Sequence, residues 1–264
     1  MTDRNVMDRV IGVTPADALG LFIDRLLLRS SLSAAQQAAI AALPGRLSKV
    51  PACHDIILPG QHTDHSCLVA SGLVGRFDMM ADGRRQIVAF YLPGEMCDLH
   101  SVPVPTSGWG LEALAGSTLV FVPHAALREA ASDPAIAMAF WRDTVTDGSL
   151  LAKWAANLGR KQALPRLAHL FCEMGVRMEC RGLGTRTDYD LPITQAQLAD
   201  AAGLTSVHLN RTLKALRYEG VTFSGGKVRI ADWAGLTELA EFDPAYLLLS
   251  ERAVAPSGAR LQHS

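Results

Sequence analysis

Residues 193–220 read ITQAQLADAAGLTSVHLNRTLKALRYEG, and the order of residue types in this stretch prescribes two short helices around a tight corner. Thr194 can cap the first helix, with Gln197 three residues on as its reciprocal partner. Ala199 is small where the two helices would cross. Gly203 stands where the corner needs a left-handed backbone, which glycine adopts without the steric cost of a side chain. Thr205 can cap the second helix. Leu209, Leu213 and Leu216 recur at spacings of four and three and form its inward side. Ser206, Val207, His208, Asn210, Arg211 and Lys214 are left near or on the outward side.

That outward side carries chemistry suited to a nucleic-acid duplex. Arg211 can donate to O6 and N7 of a guanine, and Asn210 can bond N6 and N7 of an adenine. Lys214 and Arg217 lie further along and suit phosphates. The following VTFSGGKVRI, residues 221–230, predicts two short strands about Gly225-Gly226, a wing whose Lys227 would touch the DNA backbone. With Thr194 and Gln195 at the start of the first helix and Thr205 at the start of the second, these residues form the candidate DNA-contact set. Across 205–230, Arg211, Lys214, Arg217, Lys227 and Arg229 stand against Glu219 alone. A helical hairpin with an exposed polar face would need neither the basic outward side nor the wing. A module whose corner contacts a protein is the competing reading, and salt separates the two because DNA binding weakens steeply as salt rises.

The rest of the chain sets bounds. Its 264 residues allow two modest domains, and 49% are hydrophobic. The net charge of −1 is unevenly spread: between Arg160 and Ile230 eleven Lys/Arg face six Asp/Glu. An acidic body with a basic patch is compatible with nucleic acid. The five cysteines (Cys53, Cys67, Cys97, Cys172 and Cys180) are odd in number and form no CxxC, so a disulfide framework is not expected. The N-terminal MTDRNVMDRV lacks an apolar signal core. LFIDRLLL is interrupted by Asp24 and Arg25, and no run approaches a membrane span. A cytoplasmic location without membrane contact is expected.

Residues 15–43 have helical spacing and end at Pro44-Gly45. From 46 to 124 short alternating runs are separated by turn residues, with a hairpin signal at Asp82-Gly83; an antiparallel roll or barrel is expected. SVPVPTSGWG at 101–110 reads as a loop. A long helix is expected from Asp133-Pro134 to Gly159. Phe140, Leu151, Trp154 and Leu158 share one face; Gly148, Ala152, Ala155 and Gly159 share another, where small residues let two helices approach, either in a dimer or on the chain's own sheet. A further helix over 161–179 precedes RGLGTRTDYDLP, expected as a polar loop. The domain organisation is therefore 1–132, N-terminal helices plus roll; 133–159, long helix; 160–250, winged helix-turn-helix; and 251–264, a disordered tail.

The motif at 193–220 with its wing resembles the winged helix-turn-helix of the cyclic-AMP receptor / fumarate-nitrate regulator (Crp/Fnr) family of bacterial transcription regulators. The series LPG…GLVGRF…ADGRRQIVAFYLPGE resembles that family's N-terminal roll. The resemblance implies an α+β chain: an antiparallel, jelly-roll-type domain like those that bind cyclic nucleotides, a long dimerisation helix, and a C-terminal winged helix-turn-helix. It also implies a homodimer on a palindromic duplex, RNA polymerase as a partner, and a small-molecule effector. Well-known members begin the reading helix with an arginine and a glutamate where this chain has Ser206 and Val207. Only Arg211 matches their third base-reading position, so a different operator is expected.

Residues 94–101, GEMCDLHS, fall at the family's effector turn, and Gly94, Glu95, Met96, Cys97, Asp98 and His100 are the candidate effector residues. In members that bind cyclic nucleotides, the turn is followed by a short helix and an Arg-Ser or Arg-Thr pair; the glutamate takes the ribose hydroxyl and the arginine pairs with the phosphate. Here TSGWGLEAL stands at that place without an arginine, and an unpaired buried phosphate is strongly disfavoured. The turn also resembles that of a carbon-monoxide-sensing haem member, which would put haem on His100, with Cys97 one position from that member's cysteine. An iron–sulfur cluster lacks its tight cysteine group. His62, His65 and Cys67 could hold a metal within HTDHSC. No enzyme is expected: GLGTRT at 182–187 has Thr187 in place of the third glycine of a dinucleotide turn.

Overall fold

Thr14 accepts a hydrogen bond from the Asp17 amide while the Asp17 carboxylate accepts from the Thr14 amide, and this reciprocal cap starts α1 (Pro15–Leu27). A second such cap, Ser33 with Gln36, starts α2 (Ala34–Ala41). The helical stretch expected over 15–43 is two helices, because α1 ends at Leu27 with Leu28 as its cap and Ser33 starts a new helix. In the computed structural model, residues 13–249 are described; residues 1–12 and the tail expected over 251–264 lie outside them. The chain divides into two units, 1–154 and 155–264.

In the first unit, β1 (Arg46–Val50), β2 (His54–Ile57), β3 (His65–Ser71), β4 (Val74–Met79), β5 (Arg85–Tyr91), β6 (Gly110–Ala113) and β7 (Ser117–Pro123) form the antiparallel roll. Its two sheets have strand orders β1-β7-β3 and β2-β6-β4-β5. The Asp82-Gly83 hairpin joins β4 to β5, with Gly83 at φ +82°. Cys67, Val69, Val74, Tyr91, Leu111 and Leu119 pack inside the roll. The apolar side of α1 (Leu19, Phe22 and Leu26) packs with Leu68, Val120 and Phe140 in a second core. Then come α3 (His124–Ala130) and α4 (Pro134–Arg160), the latter opened by the Asp133 carboxylate, which accepts from the Ala135 amide at 2.8 Å. Phe140, Leu150 and Trp154 on α4 are buried, Trp154 edge-on to Phe90 at 5.3 Å.

The second unit contains α5 (Ala163–Cys180), β8 (Gly184–Thr185), β9 (Asp188–Asp190), α6 (Gln195–Ala202), α7 (Ser206–Tyr218), β10 (Val221–Ser224), β11 (Lys227–Ile230) and α8 (Trp233–Leu239). The polar loop expected over 181–192 is a correction: it contains β8 and β9, which extend the wing to four strands in the order β10-β11-β9-β8. One inward residue helps to anchor it. Tyr189 is buried and its hydroxyl donates to the Phe171 carbonyl at 2.7 Å. The hairpin lies directly on α5 at Gly175, where a Cβ would come within 2.3 Å of the Arg186 carbonyl oxygen. Among the described residues, no helix is long and apolar enough to cross a membrane.

Candidate nucleic-acid interface and candidate effector turn

The corner of the second unit follows its residue order closely. Thr194 and Gln197 form the reciprocal cap of α6, and Gly203 closes it at φ 61°, ψ 41°. Thr205 caps α7 by accepting from the His208 amide at 3.2 Å. Leu209, Thr212, Leu213 and Leu216 are buried. Ser206, Val207, His208, Asn210, Arg211, Lys214 and Arg217 are exposed, as are Thr194, Gln195 and Thr205. The hydroxyls of Thr194 and Thr205 accept the helix-capping amides, so their contribution to an anion is to hold the free helix starts in place. Arg166 donates to the Ala202 carbonyl at 2.7 Å and ties α6 to α5.

Lys227 differs from the rest of the set. Its ammonium lies 2.9 Å from Asp188, and Arg229, on the same face of β11, lies 3.5 Å from the other oxygen of that carboxylate. Reading 181–192 as a loop hides Asp188, whereas Arg229 is counted in the basic balance of 205–230 but not singled out as a contact residue. The signal was there in the alternation Thr187-Asp188-Tyr189-Asp190, polar out and aromatic in.

The turn at 94–101 is closed upon itself. Gly94, at φ +82°, donates its amide to the Val69 carbonyl; the Glu95 and Cys97 amides donate to Leu92 and Cys67 carbonyls. Those amides therefore leave no nest for an anion. Glu95 is buried; one carboxylate oxygen accepts from the Leu92 amide at 2.9 Å and the other pairs with Arg25 of α1. Arg25 also pairs with Asp143 of α4. Burial alone would lower its pKa, but Asp143 and Glu95 outweigh that and hold it above the ordinary arginine value. Arg25 escaped the sequence reading, although a charged residue within LFIDRLLL on the buried side of a helix is its signal. A second arginine, Arg76, only 1% exposed, donates to the Cys97 carbonyl and pairs with Asp147 of α4 at 2.8 Å, its guanidinium over the Tyr91 and Trp109 rings.

Met96 packs in the apolar core. The Asp98 carboxylate accepts from the Cys67 amide at 2.6 Å and from the Ser101 hydroxyl at 3.3 Å; burial raises its pKa to about 6. His100 lies against Trp109, ring centres 5.1 Å apart, with its Nε2 buried and unpartnered. Burial, then the nearby Arg76, lowers the His100 pKa to about 4, so the ring is neutral near pH 7 and cannot replace a phosphate-binding cation. The donor set does not fit haem. The His100 Nε2 is enclosed by protein, and Cys97 is wholly buried in the core of the roll. Cys67 points into the roll core while His62 is exposed, and His65 is paired with Asp64 at 2.7 Å. No group of three or more His, Cys, Asp or Glu side chains suited to a metal occurs among the described residues.

Residues 165–239 match the Crp-like helix-turn-helix domain. The chain is 28% identical over 216 residues to the nitrogen fixation regulation protein FixK of Azorhizobium caulinodans, covering 78% of this chain and 83% of that one. It is 27% identical to the transcriptional activator protein FnrL of Cereibacter sphaeroides, over 71% of this chain and 77% of that one. The solved structure of FixK2 from Bradyrhizobium japonicum superposes with a TM-score of 0.67 at 27% identity, covering 75% of this chain and 98% of that one.

Two outcomes test the turn. Arg25→Ala strands two carboxylates in the interior and is expected to cost about 3–5 kcal/mol in urea unfolding. Arg25→Met combined with Glu95→Gln and Asp143→Asn recovers most of it. His100 is depressed in the fold, so its stabilising share is complete above its unfolded pKa of 6.5 and is lost as pH falls towards 4. Asp98 is raised, so its share is present below 3.8 and lost as pH rises through 6. His100→Gln removes the first of these opposed contributions. Its melting temperature relative to wild type is expected to climb as pH is lowered from about 7 to about 4.5; a constant offset would contradict a buried neutral ring.

Proposed function

Because the chain belongs to the cyclic-AMP receptor / fumarate-nitrate regulator (Crp/Fnr) family of transcription regulators, we propose that it acts as a homodimer that reads a two-fold-symmetric DNA site through α7. The observation that carries this reading is the division of α7: its leucines are buried and Asn210, Arg211 and Lys214 stand in solvent. A helix so divided can enter a major groove without unpacking, and two of them about 34 Å apart would meet successive grooves. Its similar proteins are regulators and activators by name, not enzymes.

The outer face of α4 supports the dimer. Met138, Trp141 and Val145 are exposed there, Trp141 by 67% and Val145 by 61%. Gly148, Ala152, Ala155 and Gly159 continue the row, all exposed, at alternating spacings of three and four. Added Cβ atoms at Gly148 and Gly159 would meet nothing within 4 Å in this chain. Glycine inside a helix costs about 1 kcal/mol, and a second helix lying close against this row explains its use.

The same dimer would be controlled by an effector other than a cyclic nucleotide held in the usual way, with RNA polymerase as its further partner. Glu95, which would take the ribose, is held by Arg25 instead. An effector acts on such a protein only by favouring one arrangement of the dimer over another.

Anisotropy with a duplex selected from a random pool tests the reading helix. Arg211→Ala is expected to weaken binding by about 1–3 kcal/mol and relax the preference at one base pair; unchanged affinity and preference would remove α7 from the groove. Sedimentation tests the α4 row. Ala152→Glu places like charges face to face and is expected to convert a dimer into monomers, whereas a wild-type monomer at all concentrations would end the dimer proposal.

A further inference from the structure

The four-stranded wing presents an outward face on which charges cancel. Lys227 and Arg229 alternate on β11; Asp188 and Asp190 alternate on β9, and the strand register sets Arg229 opposite Asp188 and Lys227 opposite Asp190. Both oxygens of Asp188 are used, one on Lys227 at 2.9 Å and the other on Arg229 at 3.5 Å. We propose that Asp188 is a built-in competitor of the DNA backbone, holding the two wing cations in the free protein so that a phosphate must displace a carboxylate to be bound. The proposal rests on the DNA-binding reading above and adds a residue that sets how strongly, and how indiscriminately, that reading operates.

The carboxylate is positioned rather than loosely attracted. The Asp188 amide donates to the Thr185 hydroxyl at 3.0 Å, and the Ile230 amide donates to the Thr187 carbonyl at 2.8 Å. Arg186, in the same turn, pairs with Glu179 of α5, and Gly175 lets the turn lie directly on that helix. Asp188 thus belongs to the rigid part of the unit, while the two cations reach it with long, adaptable side chains. The pairs are about half exposed, so each is weak, within the roughly 0.2–1 kcal/mol measured for exposed ion pairs. A phosphate at the wing can outcompete such a pair, but not without loss.

The consequence is selective. Sequence-independent binding comes almost wholly from phosphate contacts. Reducing the wing's share lowers binding to arbitrary duplex, while Arg211 and Asn210 on α7 retain their base contacts. Cations of α7 have no such competitor in their own helix: Arg211, Lys214 and Arg217 share it with no acid, and Glu219 follows it.

The test compares wild type, Asp188→Asn, Lys227→Gln/Arg229→Gln and the triple variant. Each is titrated against a fluorescein-labelled mixed-sequence duplex and against a duplex selected by the wild-type protein, over a series of salt concentrations. Asp188→Asn is expected to bind the mixed duplex about 3- to 10-fold more tightly at low salt. Its advantage over wild type should shrink as salt rises, because screening loosens the competing pair in the free wild-type protein, and both the gain and its salt dependence should vanish in the triple variant. Tightening that persists in the triple variant would mean a general charge effect and overturn the assignment, as would no tightening in a protein whose wild type binds. Asp188→Ser, which also lacks the charge, must reproduce the result if asparagine disturbs the hairpin. A wild-type protein that binds neither duplex would sink the DNA-binding reading itself, a distinct result.

Discussion

A guanidinium and two carboxylates, all three removed from water, fix the arrangement of the first unit. Arg25 comes from α1, Glu95 from the turn after β5 and Asp143 from α4. Charges this deep are tolerated only in each other's company, since a lone one would cost several kcal/mol. The three elements are therefore locked in one relative placement. One turn further along α4, Asp147 faces inward in the same way to Arg76 and to the Tyr91 hydroxyl. Two acids four residues apart share a helix face, so together they set the rotation of α4 about its axis. The opposite side, with Trp141, Val145 and Gly148, is left outward. The polar anchors inside the roll thus determine which row of α4 a second copy could meet.

In the second unit the governing forces are local at the corner and tertiary at the wing. Each helix start has its own hydroxyl cap, and the corner has its left-handed glycine. These preferences act between residues at most a few positions apart, and they agree with the leucine spacing. The wing is different. Its hairpin at Gly225-Gly226 is local, both residues having positive φ, but its other two strands are held by long-range contacts, Tyr189 reaching α5, Gly175 admitting the Arg186 backbone, and β9 pairing with β11. Those contacts bring Asp188 to Lys227 and Arg229.

GEMCDLHS shows how a familiar pattern changes meaning in three dimensions. Its glycine has the expected positive φ and its glutamate points inward. A pattern of residues does not say what stands opposite, however. The partner of Glu95 lies 70 residues earlier in the chain, in a helix whose charged positions read most simply as solvent-facing breaks in an apolar run. The same holds for His100: its neutral state follows from burial and from Arg76, neither of which is adjacent in sequence.

By itself the sequence determined the elements whose signals are short-range: the two capped helices and glycine corner, the outward Arg211 and Lys214, the alternating strands of the roll, and the long helix after Asp133. Caps, turns and periodic burial depend on neighbours within one or two turns of chain, and those neighbours are written side by side. The tertiary structure alone decided which charges are spent within the fold. It gave Glu95 to Arg25, Asp147 to Arg76, and the wing's lysine and arginine to Asp188. Ion pairing depends on distance through space and on exclusion of water, and both are settled only when remote segments pack.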